Sequence, residues 1–568
     1  MRKTVLPVVV LLLSLVVFRP SLGRTAPQAP VLSVPTSAQA TGLCPSLDPP
    51  SGNTVSVDNK DDLISAVNAA SVGDTILVAN GTYEFVYGEY MRVEADGVTI
   101  RSASGNRDAV IIDGNYSATE LVQIVASNVT VADLTLREAQ YHPIHVMTGG
   151  SVDTVNTLIY NVHIVDPGQQ AIKINPADAG YYVDDGTIAC SHIELTDAGR
   201  PQVWTINGSC YTGGVDAHQA QGWTIRDNRI EGFWCPGNGL DGCEGGDLSE
   251  HGIHMWRGCR DTVIERNVLI DNARGIGLGL VDSGTARTYP DDPCPGVSGY
   301  IDDYLGMVRN NTISANRSLL FNSDCGFDCG ICLASACGAQ AVHNTVYTAD
   351  PAHTFSSIEW RFSTTSAEIT NNLVNHIMRE RDGASGTQGG NVTNATSGWF
   401  VDAGAGDLHL VSAAMDAIDQ GVGVASGTCD GDIDGDSRPI GSARDVGADE
   451  YGIPAPAAVT DLHISSAVTS TTSLTVTLVW TPPSGALTTT LRYDGMPIAL
   501  SNWGTAMLLT DTLTGTASVY TAVLSYEGGT VYFGHRSQNE GGMSGLSNLA
   551  FWPHHDVFLP VVMRGYAP

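Results

Sequence analysis

Six short segments of this chain place chemically capable side chains at matched positions. They are Ile144-His145-Val146-Met147, Ile172-Lys173-Ile174-Asn175, Val215-Asp216-Ala217-His218, Ile253-His254-Met255-Trp256, Ile276-Gly277-Leu278-Gly279 and Ile358-Glu359-Trp360-Arg361. In a strand, successive side chains point to opposite faces, so an inward Ile or Val at the first position turns the second and fourth outward. One outward column then holds His145, Lys173, Asp216, His254 and Glu359. A second column holds Asn175, His218, Trp256 and Arg361, while Gly277 and Gly279 leave one level bare. Bases, acids, an aromatic ring and two glycines in one strip describe a groove for an extended polymer. A slip of one residue would invert the whole assignment.

Lys173 is one of only three lysines, with Lys3 and Lys60, and the sole one in this part of the chain. A lone ammonium among His, Asp and Asn is a candidate base, and an ordinary exposed lysine is the alternative. The densest group is Asp247-Leu-Ser-Glu250-His251-Gly-Ile-His254-Met-Trp256-Arg257-Gly-Cys259-Arg260, followed by Arg274. Its two His are three apart in an expected turn and strand, not four apart on a helix, which argues against zinc of the metalloprotease kind. Trp256 is a candidate sugar-stacking platform, or else a cover for a disulfide at Cys259.

Those segments need an element that stacks them. Short β-branched runs pass through an Asn at Asn228, Asn267, Asn311, Asn344 and Asn372, 28 to 44 residues apart, with earlier copies carrying Asp133 and Asn161. Asn tolerates a left-handed backbone and can hydrogen-bond along a stack, so it suits a turn repeated on every coil. One unit of this size cannot bury its own apolar face, whereas stacked units can. The pattern is similar to right-handed parallel β-helices of the pectate-lyase-like superfamily over residues 53 to 450. Leu63, Ile64, Val67 and Ala70 fall at helical spacing before Thr75–Val78, where those families carry a capping helix. A cap also covers a sheet edge that would otherwise be open.

The far end resembles the closing segment of exported bacterial β-helix proteins: 407–421, then Asp432-Ile-Asp-Gly-Asp-Ser-Arg-Pro439 and Asp445-Val-Gly-Ala-Asp-Glu450. Asp430, Asp432, Asp434 and Gly435 match half of a calcium loop, but Gly441 stands where that loop needs Glu. A plain Asp/Gly turn is the alternative. Residues 457–552, with Trp480 expected inward and Ser544-Gly-Leu-Ser-Asn548 at the end, resemble a divergent fibronectin type III module.

The expected organisation is all-β. A signal peptide and flexible segment occupy 1–40, a parallel β-helix with its cap and closing segment 41–452, a small β-sandwich 453–552, and a possible sorting tag 553–568. Arg2 and Lys3 before the apolar run Val5–Phe18 read as a secretory leader too short to span a bilayer, and no later stretch would span it. A secreted or cell-surface monomer is expected. Twelve cysteines, an even number, favour disulfides in an exported chain. A net charge of −32 argues against nucleic acid and anionic membranes. It also means that an acidic glycan needs a metal ion or a local basic patch to approach.

The superfamily resemblance implies polysaccharide lyase chemistry, in which a Lys, Arg or His takes the proton α to a uronate carboxylate. Lys173, His218 or His254 would be the base, Arg274 or Arg361 the acid or charge clamp. Asp216, Glu244, Asp247 and Glu250 would hold calcium, the implied cofactor. Two other readings stay open: a non-catalytic glycan-binding or adhesive surface protein, and a glycoside hydrolase using Asp216, Glu250 and Glu359.

Overall fold

The computed structural model describes residues 43–236, 246–452 and 456–553, apart from positions 471, 501, 527, 540 and 541. The expected leader, Cys243, Glu244 and the tail from 554 lie outside the described residues. Residues 54–389 wind into a right-handed parallel β-helix whose short strands stack in three sheets, two of ten strands and one of fourteen. One ten-stranded sheet carries all six segments introduced above. Its strands run from Met91–Val93 through Glu120–Ile124, His142–Met147, Gln170–Asn175, Gly213–His218, Ile253–Trp256, Arg274–Leu278, Phe327–Ala334 and Thr354–Arg361 to Met378–Arg381. We call it the site wall.

The stack holds because each coil gives its inner face wholly to apolar side chains. Ile144, Val146, Ile172, Ile174, Val215, Ala217, Ile253, Met255, Ile276, Leu278, Ile331, Leu333 and Ile358 are fully buried in one continuous core. Each such side chain removed from water contributes roughly 1.5–3 kcal/mol, which only stacking can supply. The helix Lys60–Asn68 caps the open end, buries Leu63 and Val67, and begins where Asn59 accepts the backbone N–H of Asp62.

The repeated Asn serve as a ladder, not as the left-handed turn. Asn228 Nδ2 donates to Asn267 Oδ1 at 3.0 Å, Asn267 to Asn311 at 2.9 Å, Asn311 to Asn344 at 3.0 Å and Asn344 to Asn372 at 3.0 Å. All five are buried, and the left-handed residue is the one before each: Asp227, Arg266, Asn310, His343 and Asn371. Asp133 and Asn161 are themselves left-handed, so they belong one position off the ladder. In those early coils Leu134 and Val162 are buried at the turn instead.

Beyond the coils, residues 400–450 fold over a small core around Leu408, Leu410 and Val446. Strands between His463 and Trp552 form antiparallel sheets of three and five strands that share a core of Leu474, Val476, Leu478, Trp480, Leu491 and Phe533. Trp480 points inward as expected. Disulfides join Cys44 to Cys190, Cys210 to Cys235, Cys294 to Cys337 and Cys329 to Cys332. Cys259 and Cys429 are buried free thiols. Among the described residues no helix is long and apolar enough to cross a membrane.

Candidate functional site

The site wall keeps the register that the segments imply. His145 pairs with Lys173, Lys173 with Asp216, Asp216 with His254, His254 with Gly277, Gly277 with Cys332 and Cys332 with Glu359. The parallel sheet thus turns residues 214 positions apart in the chain into one outward column. Met147 pairs with Asn175, and His218 with Trp256, in the neighbouring column.

The first half of the column is closed. Lys173, Asp216 and His254 are only 7%, 2% and 0% exposed although they face outward. The Lys173 ammonium donates to Asp216 Oδ2 and lies 3.0 Å from His218 Nε2. Trp256 Nε1 donates to Asp216 Oδ1 at 2.8 Å, and His254 Nδ1 stands 3.5 Å from the same oxygen. Burial alone would raise the Asp216 carboxyl, but Lys173, His218 and His254 around it hold it well below the usual carboxylate range. Burial lowers His218 despite its contact with Asp216, so this imidazole rests neutral. His145 lies beyond Lys173 with both ring nitrogens engaged, by Glu120 at 2.7 Å and Asn175 at 2.8 Å.

Two expectations fail here. The level of Gly277 is not bare: a Cβ there would stand 2.6 Å from His251 Nε2, so the missing side chain makes a slot for the His251 ring. At Gly279 the wall has no room either, since a Cβ would meet the Ala334 carbonyl. Trp256 is not a free stacking platform. Its ring lies nearly parallel to His254 with centroids 4.9 Å apart, meets His218 edge-on at 4.8 Å, and is overlain by the Arg257 guanidinium at 4.5 Å. Nor does it cover a disulfide, because Cys259 is a free thiol.

The second half of the column borders open space, although Glu359 itself is only 5% exposed. A cavity of about 280 Å³ is lined by His251, Arg274, Asp328, Phe355, Glu359, Arg361 and Arg381, among others. Arg274 Nε donates to Asp328 at 2.9 Å, Arg381 to Glu359 at 2.9 Å, and Arg361 pairs with Asp382 at 2.8 Å. Burial raises the Glu359 carboxyl against the pull of Arg381. Arg361 also borders a second cavity of about 450 Å³ with Asp282, Tyr300 and Phe362. Neither cavity is lined by Lys173, Asp216 or His218; the open volume lies beside the closed cluster rather than over it. Sequence reasoning missed Arg381, Phe355, Asp328 and the covering role of His251.

Calcium does not fit at Asp216. Calcium takes six to eight oxygens, and both Asp216 oxygens are held by Lys173 and the Trp256 N–H in a nitrogen-rich surrounding. Glu250 faces the imidazole of His254 at 3.3 Å, and Asp247 is buried with no hydrogen-bond partner for its carboxylate among the described residues. The Asp430–Asp434 loop uses its carboxylates as backbone acceptors. Asp432 Oδ1 takes the N–H groups of Asp434 and Asp436, its Oδ2 that of Glu450, and Asp430 pairs with Gly427 N and Arg444. Asp434 meets His409 Nε2 at 3.1 Å. This is a turn lock, not an oxygen cage. One ligand atom each of Glu250, His251 and His254 converge within 4.8 Å, a donor set suited to a transition metal.

No protein-family model matches the chain, and no curated protein matches it. Among solved structures, it is similar to an alginate lyase from Paenibacillus sp. str. FPU-7, with 17% identity, a TM-score of 0.38, and coverage of 60% of this chain and 99% of that one. A second is pectate lyase Pel9A, with 15% identity, a TM-score of 0.44, and coverage of 73% and 100%. A third is a polygalacturonase from Erwinia carotovora ssp. carotovora, with 11% identity, a TM-score of 0.28, and coverage of 62% and 98%.

Proposed function

We propose that this is an exported polysaccharide lyase that cleaves an acidic glycan by β-elimination, without calcium in its catalytic cluster. The observation that carries the reading is the column itself. A neutral His218 beside the Lys173–Asp216 ion pair stands on the same wall as an arginine-lined cavity. In a chain of net charge −32 this cavity gathers three arginines, each paired with a carboxylate, Asp328, Glu359 or Asp382, that a uronate would displace.

In this mechanism Arg257, which overlies Trp256 beside His218, neutralises the uronate carboxylate and makes the neighbouring C–H acidic. His218 takes that proton, having exchanged its Lys173 contact for substrate. The C–H electron pair becomes the new double bond as the β C–O bond breaks. The imidazolium returns its proton to the departing oxygen. Lys173 and Asp216 hold the ring, and the Asp216 carboxylate compensates its transient charge. Arg274, Arg361 and Arg381 bind the acidic units that follow.

Hydrolysis is disfavoured on chemical grounds. It needs one protonated and one ionised carboxyl close together, yet Asp216 and Glu250 are both held low, and Glu359, the raised one, stands four strands from Asp216 on the wall, about 19 Å away. A non-catalytic glycan-binding protein is the second reading, favoured by the complete burial of His254.

Incubation with polygalacturonate, alginate and chondroitin, in calcium and in chelator, tests these readings. Ultraviolet-absorbing unsaturated products that persist in chelator are expected on at least one glycan. Retention on a glycan column with no product would overturn the lyase in favour of binding. Reducing ends without unsaturation would favour hydrolysis.

A further inference from the structure

The other ten-stranded sheet carries a cluster that the lyase reading does not use. His163, on strand His163–Val165, pairs in register with His192, on strand His192–Glu194, and His192 pairs with Arg229 on the next coil. The two imidazoles therefore stack, with centroids 4.7 Å apart and planes within 3° of parallel. Each reaches one coil onward to a carboxylate: His163 Nε2 lies 2.9 Å from Glu194 Oε1, and His192 Nε2 lies 2.7 Å from Glu231 Oε1. The side chains of all four are 22–23% exposed, so an ion can enter from solvent.

The two carboxylates are not equivalent. Arg229 holds Glu231 with bonds of 3.0 and 2.7 Å. Glu231 therefore keeps a counter-charge if His192 turns away from it. Glu194 has no arginine partner among its ion pairs, and its negative charge faces the imidazoles. One ligand atom each of His163, His192 and Glu194 already lie within 4.8 Å of one another. Asp108 is a further carboxylate, 4.0 Å from His163 Nδ1.

We propose that His163, His192 and Glu194 form a zinc-class metal site that clips two successive coils together on the wall away from the catalytic column. Two imidazoles and one carboxylate are a donor set for zinc and its transition-metal neighbours, whereas calcium needs more oxygens than this cluster offers. Three protein ligands leave a position open for water or for a carboxylate from a partner molecule. The in-register stack brings both His into range without any loop, and His192 must turn from Glu231 for the two ring nitrogens to converge on one ion.

The test is calorimetric titration of chelator-treated, full-length protein with zinc chloride alone, and separately with calcium chloride. Wild type is expected to bind zinc, and the number of zinc ions bound should fall by one in the His163→Ala/His192→Ala double variant. The melting temperature in chelator serves as the check on folding. Should that variant not fold, Glu194→Gln keeps both rings and is expected to weaken the same site by about tenfold or more. Cobalt(II) in place of zinc should give a tetrahedral absorption band that shrinks in the double variant and needs more cobalt to reach full height in Glu194→Gln. A zinc isotherm unchanged in both variants, or no zinc uptake by wild type, would overturn the proposal. So would calcium uptake that depends on the same residues.

Discussion

The two halves of the outward column share one sheet, one register, one strand geometry and paired charges, yet they differ in what borders them. At the Lys173–Asp216–His254 end each charge has a partner and water is nearly excluded. At the Arg274–Glu359–Arg361 end the ion pairs line a cavity that solvent reaches. The difference comes from what lies over the wall. The segment before Ile253 folds back so that His251 fills the slot at Gly277, and His254 is sealed behind it. A dry, paired cluster strengthens every electrostatic term and preorganises a base; an open cavity of arginine–carboxylate pairs recognises a charged chain by exchanging those partners. The proposed division is chemistry at one end and recognition at the other.

Lys173 is where that division breaks most visibly. Lys173→Ala leaves a buried carboxylate without its ammonium, which costs roughly 3–5 kcal/mol of stability. It also removes the group that orients His218, so turnover should fall by about a hundredfold or more. Replacing both partners, Lys173→Met with Asp216→Leu, should recover much of the stability and none of the activity. Urea titrations and product absorbance on the same preparations separate the two effects. Wild-type turnover in the double variant would show that the closed end is only a structural ion pair.

The column was readable because a solenoid writes its geometry periodically: Ile144, Ile172, Val215, Ile253 and Ile358 recur at one position, and the paired register follows from them. The ladder was readable for the same reason from Asn228 onward. It failed at Asp133 and Asn161, where Leu134 and Val162 take the buried place and the polar letter marks the left-handed residue before it. What covers the wall was not readable. His251 arrives in a segment between coils that has no repeat, and Arg381 sits on a coil only 20 residues long, too short to align with the others. Calcium at Asp216 suited a carboxylate in a column and was undone by the Lys173 ammonium and the Trp256 N–H that hold its two oxygens.

Acid should weaken the closed half before the open one. His142, beside the column, is buried with its ring on the Gln170 carbonyl at 3.0 Å, and burial pushes it down to about 4. A histidine depressed in the folded state contributes stability that is complete above its free value near 6.5 and is lost as pH falls toward 4. That contribution is about 3 kcal/mol. His142→Gln should flatten the stability curve across that window, measured by urea titration from neutral pH downward. Asp216 has the same sign but, being held far lower, gives way only in stronger acid. Glu359 runs the other way: its raised value favours the protonated folded state, a contribution lost as pH rises through it. An unchanged curve in His142→Gln would mean that acid acts elsewhere.

The smallest effect should come from the open end, and it bears most directly on recognition. Arg361 borders both cavities, and its partner Asp382 is partly exposed, so removing the guanidinium strands no buried charge. Arg361→Ala should therefore leave the melting temperature near wild type. It should raise KM by about tenfold with kcat little changed, the mark of binding lost equally from ground and transition states. The effect should shrink as salt is added, because an exposed charge contact is screened. A fall in kcat with KM unchanged would place Arg361 in the chemical step and erase the division between the two halves. Unchanged values of both would remove the cavity from the path of the polymer.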